Sequence, residues 1–140
     1  MIRVLVVEDS ATTRELITAI LERVSDIQVV GQAADGLEGV ELAEMLRPDV
    51  ITMDINMPRL NGYEATKQIM DRVPTPIVVV TSISAQEMIH RGLDILLAGA
   101  VDIVQKPSSL DESSYQTIGE ELVAKVKAAA QIRFGQPSSQ

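Results

Sequence analysis

Val50-Ile51-Thr52-Met53-Asp54-Ile55-Asn56-Met57-Pro58 is an apolar run that stops on an acid. Its first four residues show no alternation of polar and apolar positions. That pattern reads as a strand covered on both faces, as in a parallel sheet. Two similar runs precede it, Val4-Leu5-Val6-Val7 and Gln28-Val29-Val30-Gly31. Two follow it, Ile77-Val78-Val79-Val80 and Val101-Asp102-Ile103-Val104.

Helical spacing fills the intervals. Leu16, Ile17, Ile20, Leu21 and Val24 trace one face, and Leu37, Val40, Ala43 and Leu46 a second. Tyr63, Thr66, Ile69 and Met70 trace a third, Met88, Leu93, Leu96 and Leu97 a fourth, and Ile118, Leu122, Val126 and Ala129 a fifth. Thr12…Glu15, Asp35…Glu38, Asn61…Glu64 and Ser84…Glu87 each place a capping side chain three residues before a Glu, which predicts four helix starts. Strand and helix thus alternate five times. Parallel strands joined by helices cross over right-handedly. The expected product is an α/β, doubly wound (βα)5 flavodoxin-like sandwich with a five-stranded parallel sheet of order 2-1-3-4-5.

The chain of 140 residues suits one domain with a full core. That domain is expected over residues 1–134, because 135–140 lack the helical pattern and read as a tail or the start of a linker. The absence of cysteine excludes disulfides and thiolate metal sites. A formal net charge of −8 argues against a nucleic-acid partner. No apolar stretch approaches the roughly 20 residues that cross a bilayer. Met1-Ile2-Arg3-Val4 runs straight into a strand without a secretory layout, so a cytoplasmic location is expected.

The residues that follow the strands carry the chemistry. Glu8 and Asp9 follow the first, Asp54 ends the third, Thr81 the fourth, and Lys106-Pro107 the fifth. In an open parallel sheet these ends share one edge, beside the point where strand order reverses. Three carboxylates, a hydroxyl and an ammonium are therefore expected to converge. Clustered carboxylates repel one another, and a divalent cation relieves that repulsion. Oxygen donors without His or Cys favour Mg²⁺, Mn²⁺ or Ca²⁺ over zinc, and few protein ligands with room for water favour Mg²⁺. Such a cation, a Lys and a hydroxyl donor together cradle the oxygens of a transferring phosphoryl group. Asp54 is the candidate nucleophile, since a carboxylate can form an acyl phosphate. Taken singly, each residue has a plainer explanation. Asp9 alone reads as a helix cap, Thr81 as a strand-end hydroxyl and Lys106 as a surface amine. Their joint occurrence at several strand ends in one register favours a site.

At this point the chain resembles the response-regulator receiver family. The matching pieces are Val7-Glu8-Asp9-Ser10, Met53-Asp54-Ile55-Asn56-Met57-Pro58 with Asn61-Gly62, Val80-Thr81-Ser82, and Gly99-Ala100 leading to Lys106-Pro107. The resemblance implies that Asp54 is the phosphoacceptor. It implies Asp9, Asp54 and the Asn56 carbonyl as direct Mg²⁺ (or Mn²⁺) ligands, with Glu8 acting through water. Thr81 would be the switch hydroxyl and Lys106 the cation that pairs with the phosphoryl group. Ser82, Ile103 and Pro107 would be further switch positions, and Asn56 and Ile83 would tune phosphoryl loss. The implied donor is a phosphohistidine on a histidine kinase, and the chain itself would be a regulatory domain rather than an enzyme. Residues 74–82, 99–107 and 121–130 further resemble the regulatory half of chemotaxis protein-glutamate methylesterases, which implies a methylesterase domain in the parent protein. No Ser-His-Asp set for that esterase is assignable here, with His90 the single histidine. Many receivers carry an aromatic residue three positions before the Lys. Here Ile103 takes that place, so the expected coupling is aliphatic repacking with a smaller surface change.

Two other functions compete. A phosphohydrolase with an aspartyl-phosphate intermediate wants an acid two residues after its nucleophile, and position 56 is Asn. A degenerate scaffold would not need the full set of Glu8, Asp9, Asp54, Thr81 and Lys106. The expected assembly is a monomer or weak dimer, with Ile89, Leu93 and Ile103 either on a shared face or in the core.

Overall fold

The structure is a computed structural model that describes residues 1–57, 59–82, 85–106 and 112–132. Ser84, Ile83, Pro58, Pro107 and the tail expected at 135–140 lie outside the described residues. Five strands alternate with five helices: β1 (Ile2–Val7), α1 (Ala11–Glu22), β2 (Ile27–Ala33), α2 (Gly36–Leu46), β3 (Val50–Met53), α3 (Gly62–Arg72), β4 (Ile77–Thr81), α4 (Ala85–Ala98), β5 (Asp102–Gln105) and α5 (Glu112–Ala129). The sheet has the order β2-β1-β3-β4-β5, and all four pairings are parallel. This is the predicted doubly wound, flavodoxin-like fold.

The period of two along each strand divides the interior in half. Leu5, Val7, Ile51, Met53, Ile77 and Val79 face one way and meet Val40 and Ala43 of α2, Ala65 and Ile69 of α3, and Ile95 of α4. Val4, Val6, Val50, Val78, Val80 and Val104 face the other way and meet Ile17 and Leu21 of α1 and Leu122, Val126 and Ala129 of α5. Strands β1, β3 and β4 are central and covered on both sides, which is why their sequences show unbroken apolar runs.

Helix starts follow short polar side chains. Asp35 Oδ1 accepts the Glu38 amide at 2.8 Å, while Glu38 Oε1 reaches back to the Ala34 amide at 2.8 Å. Asn61 Oδ1 accepts the Glu64 amide at 2.9 Å. The start expected at Thr12 is displaced. Ser10 is the cap of α1, its hydroxyl accepting the Thr13 amide at 3.3 Å, and Thr12 lies inside the helix. Because Ser10 caps the helix, the plainer reading of Asp9 as a cap falls away.

Helix α4 also departs from expectation. Leu93, Leu96 and Leu97 were predicted to face the core, but they are exposed, as is Ile89, which is 80% exposed. The inward stripe is Met88, Gly92 and Ile95. Two apolar stripes compete on this helix, and the one that packs includes a glycine that apolar periodicity cannot register. Ile89 and Leu93 are therefore surface residues, whereas Ile103 is half-buried against the core. Ile95→Ala should cost about 2–5 kcal/mol in urea unfolding, whereas Leu97→Lys should stay within about 0.5 kcal/mol. Equal effects would mean that α4 is turned the other way.

Candidate functional site at the carboxyl edge of the sheet

The strand ladders run one residue beyond three of the strands, and a site residue sits at each extension. The Glu8 amide donates to the Ala33 carbonyl at 3.0 Å, the Asp54 amide to the Val7 carbonyl at 3.0 Å, and the Lys106 amide to the Thr81 carbonyl at 2.8 Å. Each side chain thus leaves the sheet from a fixed backbone, at the edge where β2 and β3 diverge on either side of β1.

The expected convergence is present for the three carboxylates and the ammonium. One carboxylate oxygen from each of Glu8, Asp9 and Asp54 lies within 4.8 Å of the others. The Lys106 ammonium lies 2.7 Å from Glu8 Oε1 and 3.5 Å from Asp54 Oδ1. Glu8 is 1% exposed and Asp54 5%, while Asp9 is open to solvent. Glu8 is fixed locally. Its Oε2 accepts the Ser10 amide at 3.1 Å, and its carbonyl accepts Arg14 at 2.8 Å. Its buried Oε1 touches Lys106 as an ion pair, but no described residue gives it a well-aligned hydrogen bond.

Thr81 ends β4, the strand beside β3, and is fully buried. Asn56, two residues beyond Asp54, is exposed, as is Ser82. Ile103 stands within β5 rather than at its end. Its amide donates to Asp102 Oδ1 at 2.8 Å, and its carbonyl accepts Lys125 Nζ at 2.7 Å. His90 is exposed on α4.

Burial first, and the charge of Glu8 second, push the Asp54 carboxyl up to about 7, against the pull of Lys106. A cluster of crowded, partly buried oxygen donors fits a hard divalent cation. Oxygen donors without His or Cys favour such a cation over zinc, and the charge that destabilises Asp54 is the charge a cation would neutralise.

Sequence reasoning passed over two features of this edge. The first residue of α3, Gly62, presses against the Asp54 backbone: a Cβ there would stand 1.9 Å from the Asp54 carbonyl oxygen. The pairing of Asn61 with Gly62 was visible as a motif, but its steric reason was not. The other feature is an ion pair, Arg59 Nε to Asp35 Oδ2 at 3.2 Å, between the loops after β3 and β2. Nothing in the spacing of residues 35 and 59 marks it.

The comparisons agree with this geometry. Residues 4–114 match the model of the response regulator receiver domain. The chain is 50% identical over 129 residues to a protein-glutamate methylesterase/protein-glutamine glutaminase of Symbiobacterium thermophilum, covering 92% of this chain and 35% of that protein. The response regulator domain of Thermotoga maritima CheB superposes with a TM-score of 0.85 at 42% identity, covering 95% of this chain and 98% of that one. The receiver domain of the Pseudomonas aeruginosa sensor histidine kinase PA1611, which has a magnesium ion coordinated in its active-site cleft, superposes with a TM-score of 0.74 at 28% identity, covering 93% and 98%. The chain therefore belongs to the response regulator receiver family, and the Glu8, Asp9 and Asp54 cluster is consistent with a phospho-acceptor site. Within that family its likeness is to the receiver region of the protein-glutamate methylesterases, of whose length it spans little more than a third. Among the described residues no helix is long and apolar enough to cross a membrane.

Proposed function

We propose that this domain is a cytoplasmic phospho-switch, in which Asp54 accepts a phosphoryl group from the phosphohistidine of a histidine kinase. The observation that carries the proposal is the convergence of Glu8, Asp9 and Asp54 within 4.8 Å, with the Lys106 ammonium 3.5 Å from Asp54. In the transfer an Asp54 carboxylate oxygen attacks phosphorus. The O–P bond forms as the N–P bond breaks, and the electron pair leaves on the imidazole nitrogen. Lys106, already beside Asp54, supplies a fixed positive charge for the oxygens of the arriving group. Thr81 supplies a hydroxyl from the end of β4. Asp9, Asp54 and the Asn56 carbonyl would hold Mg²⁺ (or Mn²⁺), with Glu8 acting through water. When bound, that ion neutralises negative charge on the carboxylates and on the transferring group.

We assign the change of shape that follows to Thr81, Ser82 and Ile103, with Pro107 as a further position. Its output is control of a methylesterase domain in the parent protein, as the likeness to the longer relatives suggests. The domain catalyses nothing beyond its own phosphorylation and dephosphorylation.

Incubation with Mg²⁺ and acetyl phosphate tests this. Intact mass should rise by one phosphoryl group, and Asp54→Asn should gain none. Beryllofluoride with Mg²⁺ should shift amide resonances around Asp54, Thr81 and Lys106 in the parent only. Labelling of the Asn variant to the parent's extent would remove Asp54 from its role.

A further inference from the structure

The loop between β3 and α3 is gripped from two sides. On one side Gly62 abuts the Asp54 carbonyl, and the Gly62 amide donates to the Ile55 carbonyl at 2.8 Å. On the other side, the start of α2 abuts the same loop. A Cβ on Gly36 would stand 1.9 Å from the Leu60 carbonyl oxygen. Next to that contact lies the pair between Arg59 Nε and Asp35 Oδ2, at 3.2 Å. Arg59 has a φ of +67°, a left-handed conformation that is uncommon for a residue with a Cβ. Asp35 has both oxygens engaged, Oδ1 on the Glu38 amide and Oδ2 on Arg59. Its side chain is 14% exposed, against 60% for Arg59, so the anion is the sheltered and oriented partner.

We propose that Asp35 and Arg59 are positioning residues for the acceptor site: their ion pair steadies the chain between Asn56 and α3, and so sets how well the Asn56 carbonyl would serve a bound cation. Neither residue touches the carboxylate cluster. They act through the backbone, as the outer supports of metal sites commonly do. An ion pair with one well-exposed partner at the surface contributes little to global stability. Its effect is therefore expected in the order of the loop and in cation affinity rather than in the unfolding midpoint. The functional half of this inference rests on the Mg²⁺-binding reading above. The structural half does not.

Three variants separate the possibilities. Asp35→Asn keeps a capping oxygen for α2 but removes the charge. Arg59→Gly keeps the left-handed backbone without strain but removes the ion pair. Arg59→Lys retains a cation. In metal-free protein, hydrogen exchange of the Gly62 amide reports whether the loop is held. Titration with Mg²⁺ alone, followed by NMR, gives the dissociation constant. The first two variants should exchange about tenfold faster at Gly62 and bind Mg²⁺ about tenfold more weakly, with unchanged urea midpoints. Arg59→Lys should restore both to within about twofold. Parent-like exchange and parent-like Mg²⁺ affinity in Asp35→Asn and Arg59→Gly would overturn the inference. A parent that binds no Mg²⁺ would instead defeat the metal reading, and the exchange rates would still decide the loop clamp.

Discussion

Without metal and near pH 8, replacing Asp54 with Asn should stabilise the protein by about 2–4 kcal/mol. Folding carries the Asp54 carboxyl from 3.8 to about 7, through burial first and the charge of Glu8 second, with Lys106 opposing. The folded chain therefore binds this proton more tightly than the unfolded chain does. Below 3.8 both states hold it, and its contribution to stability is fully present. As the pH rises from 3.8 to about 7, the unfolded chain sheds the proton first, and that contribution is lost. Asn keeps the size of the side chain with no charge to desolvate. The gap between variant and parent should thus be widest above about pH 7 and close toward about pH 4. Urea unfolding followed by circular dichroism across that range measures it. Mg²⁺ should raise the parent's midpoint and move the variant's far less. Parallel pH curves for the two proteins would mean that the Asp54 carboxyl is not under electrostatic pressure.

Gly62→Ala should cost at least about 2–4 kcal/mol and slow phosphorylation by acetyl phosphate at least about tenfold. An added methyl would meet the Asp54 carbonyl oxygen at 1.9 Å, the Asp54 carbonyl carbon at 2.8 Å and Ile55 Cα at 2.9 Å. All three are backbone atoms, so no side chain can swing aside. Relief must come from moving Asp54 or the start of α3. Helix propensity favours Ala by about 1 kcal/mol, which is too little to offset that. Gly119→Ala is the control. There the nearest atom is a methyl of Ile20 at 3.4 Å, an ordinary contact, and the same propensity should give a small gain in stability. If the two substitutions behaved alike in unfolding and phosphorylation assays, the tight seat of Gly62 would be wrong.

The strands were the most legible part of the sequence. In β3, Val50–Met53 was read to the residue, because a strand buried on both faces leaves a run with little ambiguity. The convergence of Glu8, Asp9, Asp54 and Lys106 was also legible, since parallel topology alone brings strand ends to one edge. Helix faces were less so. Leu122, Val126 and Ala129 of α5 are buried as expected, but α4 carries apolar residues on both sides, and periodicity joined Met88, which packs inward, to Leu93, Leu96 and Leu97, which do not. The cap at Ser10 was missed because Thr12 and Glu15 match the capping pattern better, although Ser10 directly follows the acidic pair. What the sequence could not express is close approach. The seat of Gly62 on Asp54 and the link from Asp35 to Arg59 depend on how loops from different βα units meet, and no local spacing encodes that.

Ile103 is tethered on both sides of its Cα, by Asp102 at the amide and by Lys125 at the carbonyl. Repacking of the side chain proceeds by torsion about χ1 and χ2, and β-branching makes χ1 the stiffer of the two. The chain has no tryptophan, so indole emission has nothing to report. The carbon shift of the Ile103 δ-methyl, which follows χ2, is the spectroscopic handle the fold leaves for watching this strand.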